Sequence, residues 1–69
     1  MGISVAEIVQ TKAGKARSFQ CDSPMQAKSG QSLVSYVKKF RRDIMPSDVA
    51  DYQTSINGSV LTIQAIARQ

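Results

Sequence analysis

Tyr52-Gln53-Thr54-Ser55-Ile56-Asn57-Gly58-Ser59-Val60-Leu61-Thr62-Ile63-Gln64-Ala65-Ile66-Ala67 is the stretch that decides the fold. Asn-Gly between two runs rich in Ile, Val and Thr is a strong hairpin signal, because the tight turn between twisted strands needs positive φ values that these residues tolerate. We expect strands over residues 52–56 and 59–67, with Ile56 opposite Ser59, Thr54 opposite Leu61 and Tyr52 opposite Ile63. That face should meet a helix. Val60, Thr62, Gln64 and Ile66 share the other face.

Upstream, Asp22-Ser23-Pro24-Met25-Gln26 reads as a helix start: Ser23 caps, Pro24 suits the first helical position and Gln26 completes a capping box. At about 100° per residue, Ala27, Gly30, Leu33, Val34, Val37, Phe40 and Ile44 fall within an arc of about 140°, one apolar stripe that should lie on the sheet. Gly30 on this stripe permits close packing against a strand, or else breaks the helix in two. Arg41 and Arg42 fall in the final turn, where cations complement the helix dipole, and Pro46 prevents continuation, so the helix should end near Ile44. Before it, Ala16-Arg17-Ser18-Phe19-Gln20-Cys21 alternates as a half-buried strand with Phe19 in the core and Arg17 at the rim. Residues 3–10 are rich in β-branched side chains and lead into Thr11-Lys12-Ala13-Gly14-Lys15, which reads as strand and hairpin loop. The fold expected is α+β: one domain over residues 1–69, with a four-stranded antiparallel sheet and one helix on one face, in the order ββαββ.

Composition narrows the function classes. A chain of 69 residues has room for one core, and domains of this size gain from self-association, so a homodimer is a natural expectation. The single Cys21 and the absence of histidine exclude a disulfide scaffold and a zinc finger; Cys21 reads as a small buried residue at a strand end. No cofactor and no metal are expected. Met1-Gly2-Ile3-Ser4-Val5-Ala6 lacks an export signal, Ala6 stands where a myristoylation signal has Ser or Thr, and no run is long enough to span a membrane. A cytoplasmic protein without membrane contact is the reading.

Acid-base chemistry lacks its usual carriers, since the chain has one glutamate, four scattered aspartates and no histidine. Glu7 shares parity with Val5 and Val9 and reads as an edge-strand charge. Nine Lys and Arg against five Asp and Glu give a net charge of +4, which favours phosphate backbones or acidic proteins as partners. Lys28, Lys38, Lys39 and Arg42 are expected to project opposite the apolar stripe, with Arg41 on its flank, and Lys12, Lys15 and Arg17 around the first loop. Such a face neutralises phosphates by counterion release.

The leading expectation is therefore a non-enzymatic binding or regulatory protein that occludes a surface, on nucleic acid or on an acidic patch of a nucleic-acid-handling protein. Accessory inhibitors and regulators of bacteria and their phages share this size and layout, an analogy of shape alone. A second expectation is a homodimeric or strand-adding module that uses the open sheet face at Val60, Thr62, Gln64 and Ile66. A third is a histidine-free ribonuclease with Tyr36 and Arg41 or Arg42. With Phe19 and Phe40 read as core, aromatic support for base recognition is thin.

Overall fold

The hairpin forms, with its turn one residue later than the dipeptide suggests. The structure is a computed structural model that describes residues 3–69, so the Met1-Gly2 start weighed above lies outside the described residues. Strand β2 (Val49–Asn57) pairs antiparallel with β3 (Val60–Ala67), and Asn57 faces Val60, which leaves Gly58 and Ser59 at the turn centre. Gly58 takes φ +64 and among the described residues no non-glycine has positive φ, the pattern of a primed turn with glycine first. The pairs are accordingly Ile56 with Leu61, Thr54 with Ile63 and Tyr52 with Ala65. The shift moves both strands equally, so the two faces keep the residues expected of them.

Strand β1 (Ala16–Gln20) pairs antiparallel with β3 along the other side, through Phe19 with Leu61 and Arg17 with Ile63. The sheet order is β1-β3-β2. Two antiparallel neighbours make β1 and β2 parallel to each other, joined by a helical crossover with β3 inserted between them. The sheet therefore has three strands, where four were expected.

The expected first strand is instead a helix, α1 (Val5–Val9), and the order is αβαββ. Its cause is a closed capping box: the Ser4 hydroxyl accepts the Glu7 N–H at 3.3 Å and the Glu7 carboxylate accepts the Ser4 N–H at 3.2 Å. Glu7 is thus a capping residue rather than an edge-strand charge. One helical turn brings Val5 and Ile8 to the same side, and Ile8 is fully buried. Thr11–Lys15 is then a helix-to-strand connection, not a hairpin loop; it turns at Gly14, φ +77, closed by the Lys15 N–H on the Lys12 carbonyl at 2.9 Å.

The long helix α2 (Pro24–Phe40) runs unbroken through Gly30. The Ser23 hydroxyl accepts the Gln26 N–H at 3.3 Å, but Gln26 Oε1 takes the Asp22 N–H instead of closing the box on Ser23. Ala27, Gly30, Val34 and Val37 are buried. The helix stops at Phe40, short of Ile44: Arg41 leaves the helical region, and Arg42–Ile44 forms a separate 3-10 turn. Phe40 lies about 100° from the middle of the buried stripe and is 67 % exposed, which removes it from the core. Phe19 and Ile44 pack half-buried against the core.

Both helices cover the same sheet face, over a core of Ile8, Val34, Val37, Val49, Tyr52, Leu61, Ile63 and Ala65 with the free thiol of Cys21 at its margin. At Gly30 α2 packs closely against the sheet: a Cβ there would stand 2.8 Å from Leu61 Cδ2 and 3.0 Å from Ile3 Cδ1. The opposite sheet face is bare.

Candidate polyanion-binding site

The end of α2 and the start of β2 meet along one edge of the sheet, and the side chains that join them are cationic. Lys38 lies about 60° from the middle of the buried stripe, so it turns toward β2 rather than away from the sheet. Its Nζ donates to the Tyr52 carbonyl at 2.8 Å and stands 3.2 Å from Asp51 Oδ1. Arg42, in the 3-10 turn, donates through Nη1 to the Ala50 carbonyl at 3.2 Å. Asp51 Oδ1 also accepts the Tyr52 N–H at 2.9 Å. These bonds occupy backbone groups on the free edge of β2 beside its bulge between Val49 and Asp51.

Lys39 completes the group: Ser35, Lys38, Lys39, Arg42 and Asp51 line one shallow depression. Three cations face one carboxylate there. A bond to a backbone carbonyl orients Arg42 without cancelling its charge, and among the described residues Lys39 has no carboxylate partner. An incoming anion meets cations already held in place.

Partial burial pushes the Asp51 carboxyl up, but hydrogen bonds from Lys38 and the Tyr52 N–H, with the charges of Lys38 and Arg42, outweigh it and hold the group below its ordinary value. A depressed folded value means stabilisation that is complete above the unfolded carboxylate range and lost as pH falls through the folded one. Lys38 and Asp51 are 33 % and 43 % exposed, so water screens the pair and its worth stays under about 1 kcal/mol. Asp51→Asn, which keeps the acceptor for Tyr52, is expected to flatten the acid side of the stability curve below about pH 4. Chemical denaturation at a series of pH values reads this, and an unchanged acid limb would rule the ion pair out as its source.

No family model, curated protein or solved structure matches this chain. The remaining sequence-selected residues are placed as follows. Lys28 is exposed in the first turns of α2, roughly 15 Å along the axis from Lys38. Lys12 and Lys15 stand at the same end of the sheet as the depression but on the β1 side, with the sheet's width between. Arg41 is turned to Asp43, Nε to Oδ1 at 3.3 Å; the Asp43 hydrogen bond and charge, with a smaller contribution from Tyr36, raise its guanidinium above the ordinary value. Arg17 donates to the Glu7 carbonyl at 3.4 Å and lies over the Phe19 ring. The structure therefore gathers Lys38, Lys39 and Arg42, and leaves the other cations apart.

Val60, Thr62, Gln64 and Ile66 do share the bare face. Around them are hydroxyls and amides: Ser18 Oγ and Thr62 Oγ1 are 3.0 Å apart, Gln20 Nε2 donates to Ser59 Oγ at 2.9 Å, and Gln53 and Ser55 lie across from Gln64 and Thr62. Val60 and Ile66 are about 20 Å apart along β3, so they form no single apolar patch.

Sequence reasoning missed two features near the depression. Asp51 counts in the sequence only as one of four scattered aspartates, although a residue beside a strand bulge can turn its side chain to the edge. Phe40 pairs with Tyr36 on the outside of α2, ring centroids 5.6 Å apart and tilted by 42°. Its place at the very margin of the apolar arc was the available signal. Among the described residues no three His, Cys, Asp or Glu side chains gather as an ion site, and no helix is long and apolar enough to cross a membrane.

Proposed function

We propose that this chain is a small, non-enzymatic cytoplasmic binding protein that docks on a polyanionic surface through the depression at the α2–β2 edge and acts by occluding it. The surface is a nucleic-acid backbone or an acidic, phosphate-mimicking patch on a protein that handles nucleic acid. The observation that supports it is the convergence of Lys38, Lys39 and Arg42, two of them pre-oriented by carbonyls of β2. Replacing Lys39 and Arg42 together by glutamate is expected to weaken retention on heparin and DNA at least about tenfold and to lower the salt dependence of binding by about two counterions. Retention and salt slope equal to the parent's would count against this site. Labelled RNA is expected to stay intact on prolonged incubation, which separates this reading from a ribonuclease.

A second reading has one specific support. The edge of β2 over residues 50–52 is occupied by side chains, whereas the edge of β1 at Ala16, Ser18 and Gln20 is exposed, so strand addition or homodimerisation belongs there and on the bare face beside it. Light scattering decides it: a monomer at all micromolar concentrations removes the homodimer.

A further inference from the structure

We infer that the polyanion is single-stranded nucleic acid, and that Tyr36 and Phe40 stack its unpaired bases while Lys39, Lys38 and Arg42 hold its backbone. This rests on the docking reading above and adds the substrate class. The two rings are 46 % and 67 % exposed, large apolar surface that nothing in the fold uses. They sit one helical turn apart on α2 with their centroids 5.6 Å apart. Lys39 follows Tyr36 by three residues and Ser35 by four, so it is the shared border between the ring pair and the cationic depression.

Aromatic surface edged by cations fits a chain whose bases offer flat faces and whose backbone offers phosphates. A duplex gives the phosphates but keeps its base faces stacked inside, out of reach of a ring on a helix surface. The fit is therefore to unpaired bases. The carboxylate that follows the rings in sequence, Asp43, is paired with Arg41 at 3.3 Å.

Fluorescence anisotropy on four probes tests this: an oligothymidylate of about 16 nucleotides, an abasic phosphate chain and a duplex of the same length, and heparin as competitor. The parent is expected to bind the oligothymidylate at least about tenfold more tightly than the abasic chain or the duplex. Tyr36→Ala and Phe40→Ala should each lose about 5- to 100-fold on the oligothymidylate and nothing on the abasic chain or heparin, which also shows that the variants are folded. Tyr36→Phe, which keeps the ring and loses only the hydroxyl, should bind like the parent. The Lys39→Glu, Arg42→Glu double variant should weaken on every probe. Equal affinity for all three chains, with the alanine variants neutral, overturns base stacking, leaves polyanion docking intact and assigns the ring pair to a protein partner. A parent that binds none of the probes in a salt-dependent way overturns both readings.

Discussion

Leu61→Ala is expected to remove a large share of the domain's stability. Leu61 is fully buried on the central strand, paired with Phe19 on one side and Ile56 on the other, and it lies under Gly30 of α2. Truncating such a leucine costs about 2–5 kcal/mol through lost transfer energy and the cavity left behind. A domain of this length has only about 3–10 kcal/mol to lose. The urea midpoint should fall by roughly 2 M or more, given the shallow slope of a small domain. A shift within error of the parent would mean that the sheet does not meet the helix at this point.

Gly30→Val should destabilise nearly as much, at the upper end of about 1–3 kcal/mol, because the new side chain must displace Leu61 and Ile3. Gly30→Ala is the more discriminating test. Alanine gains about 1 kcal/mol of helix propensity over glycine, but its methyl would stand 2.8 Å from Leu61 Cδ2, inside contact distance, and Leu61 is enclosed on all sides. The single variant is expected to be less stable than the parent. In the Leu61→Ala background the nearer obstruction is gone and only Ile3 Cδ1, at 3.0 Å, still crowds the methyl, so the same Gly30→Ala should cost clearly less there and gain up to about 1 kcal/mol if Ile3 gives way. Additive effects in this double-mutant cycle would show that the two residues do not touch.

The elements that local chemistry specifies were legible from the residues. Ser23-Pro24 marks the start of α2, the alternation around Phe19 marks β1, and Asn57-Gly58 marks the hairpin. Its register slipped because Asn-Gly and Gly-Ser both satisfy a primed turn, and only the conformation of Gly58 separates them. The first segment shows propensity losing to capping. Ile3, Val5, Ile8 and Val9 suggest a strand, yet Ser4 and Glu7, spaced for a reciprocal cap, win a helix whose inner side reaches the core. That signal was present and was outweighed by β-branched composition. The parallel relation of β1 and β2 was not legible, since it depends on β3 entering between strands far apart in the chain.

The site was legible to the same extent. Lys38, Lys39 and Arg42 fall within five residues at the end of a helix, so their proximity follows from spacing. Their orientation does not, because the carbonyls of Ala50 and Tyr52 that hold two of them belong to an edge strand whose place beside α2 is a long-range outcome. Phe40 was misplaced because a helix wheel counts it apolar without knowing where the helix stops and how far the sheet extends.

Among the described residues every strand pairing runs through β3. Without Val60–Ala67, β1 and β2 have no strand to pair with, and the carbonyl rail that steadies Lys38 and Arg42 has no sheet to belong to. Closing the sheet around β3 and fixing the direction of these cations are therefore one cooperative event.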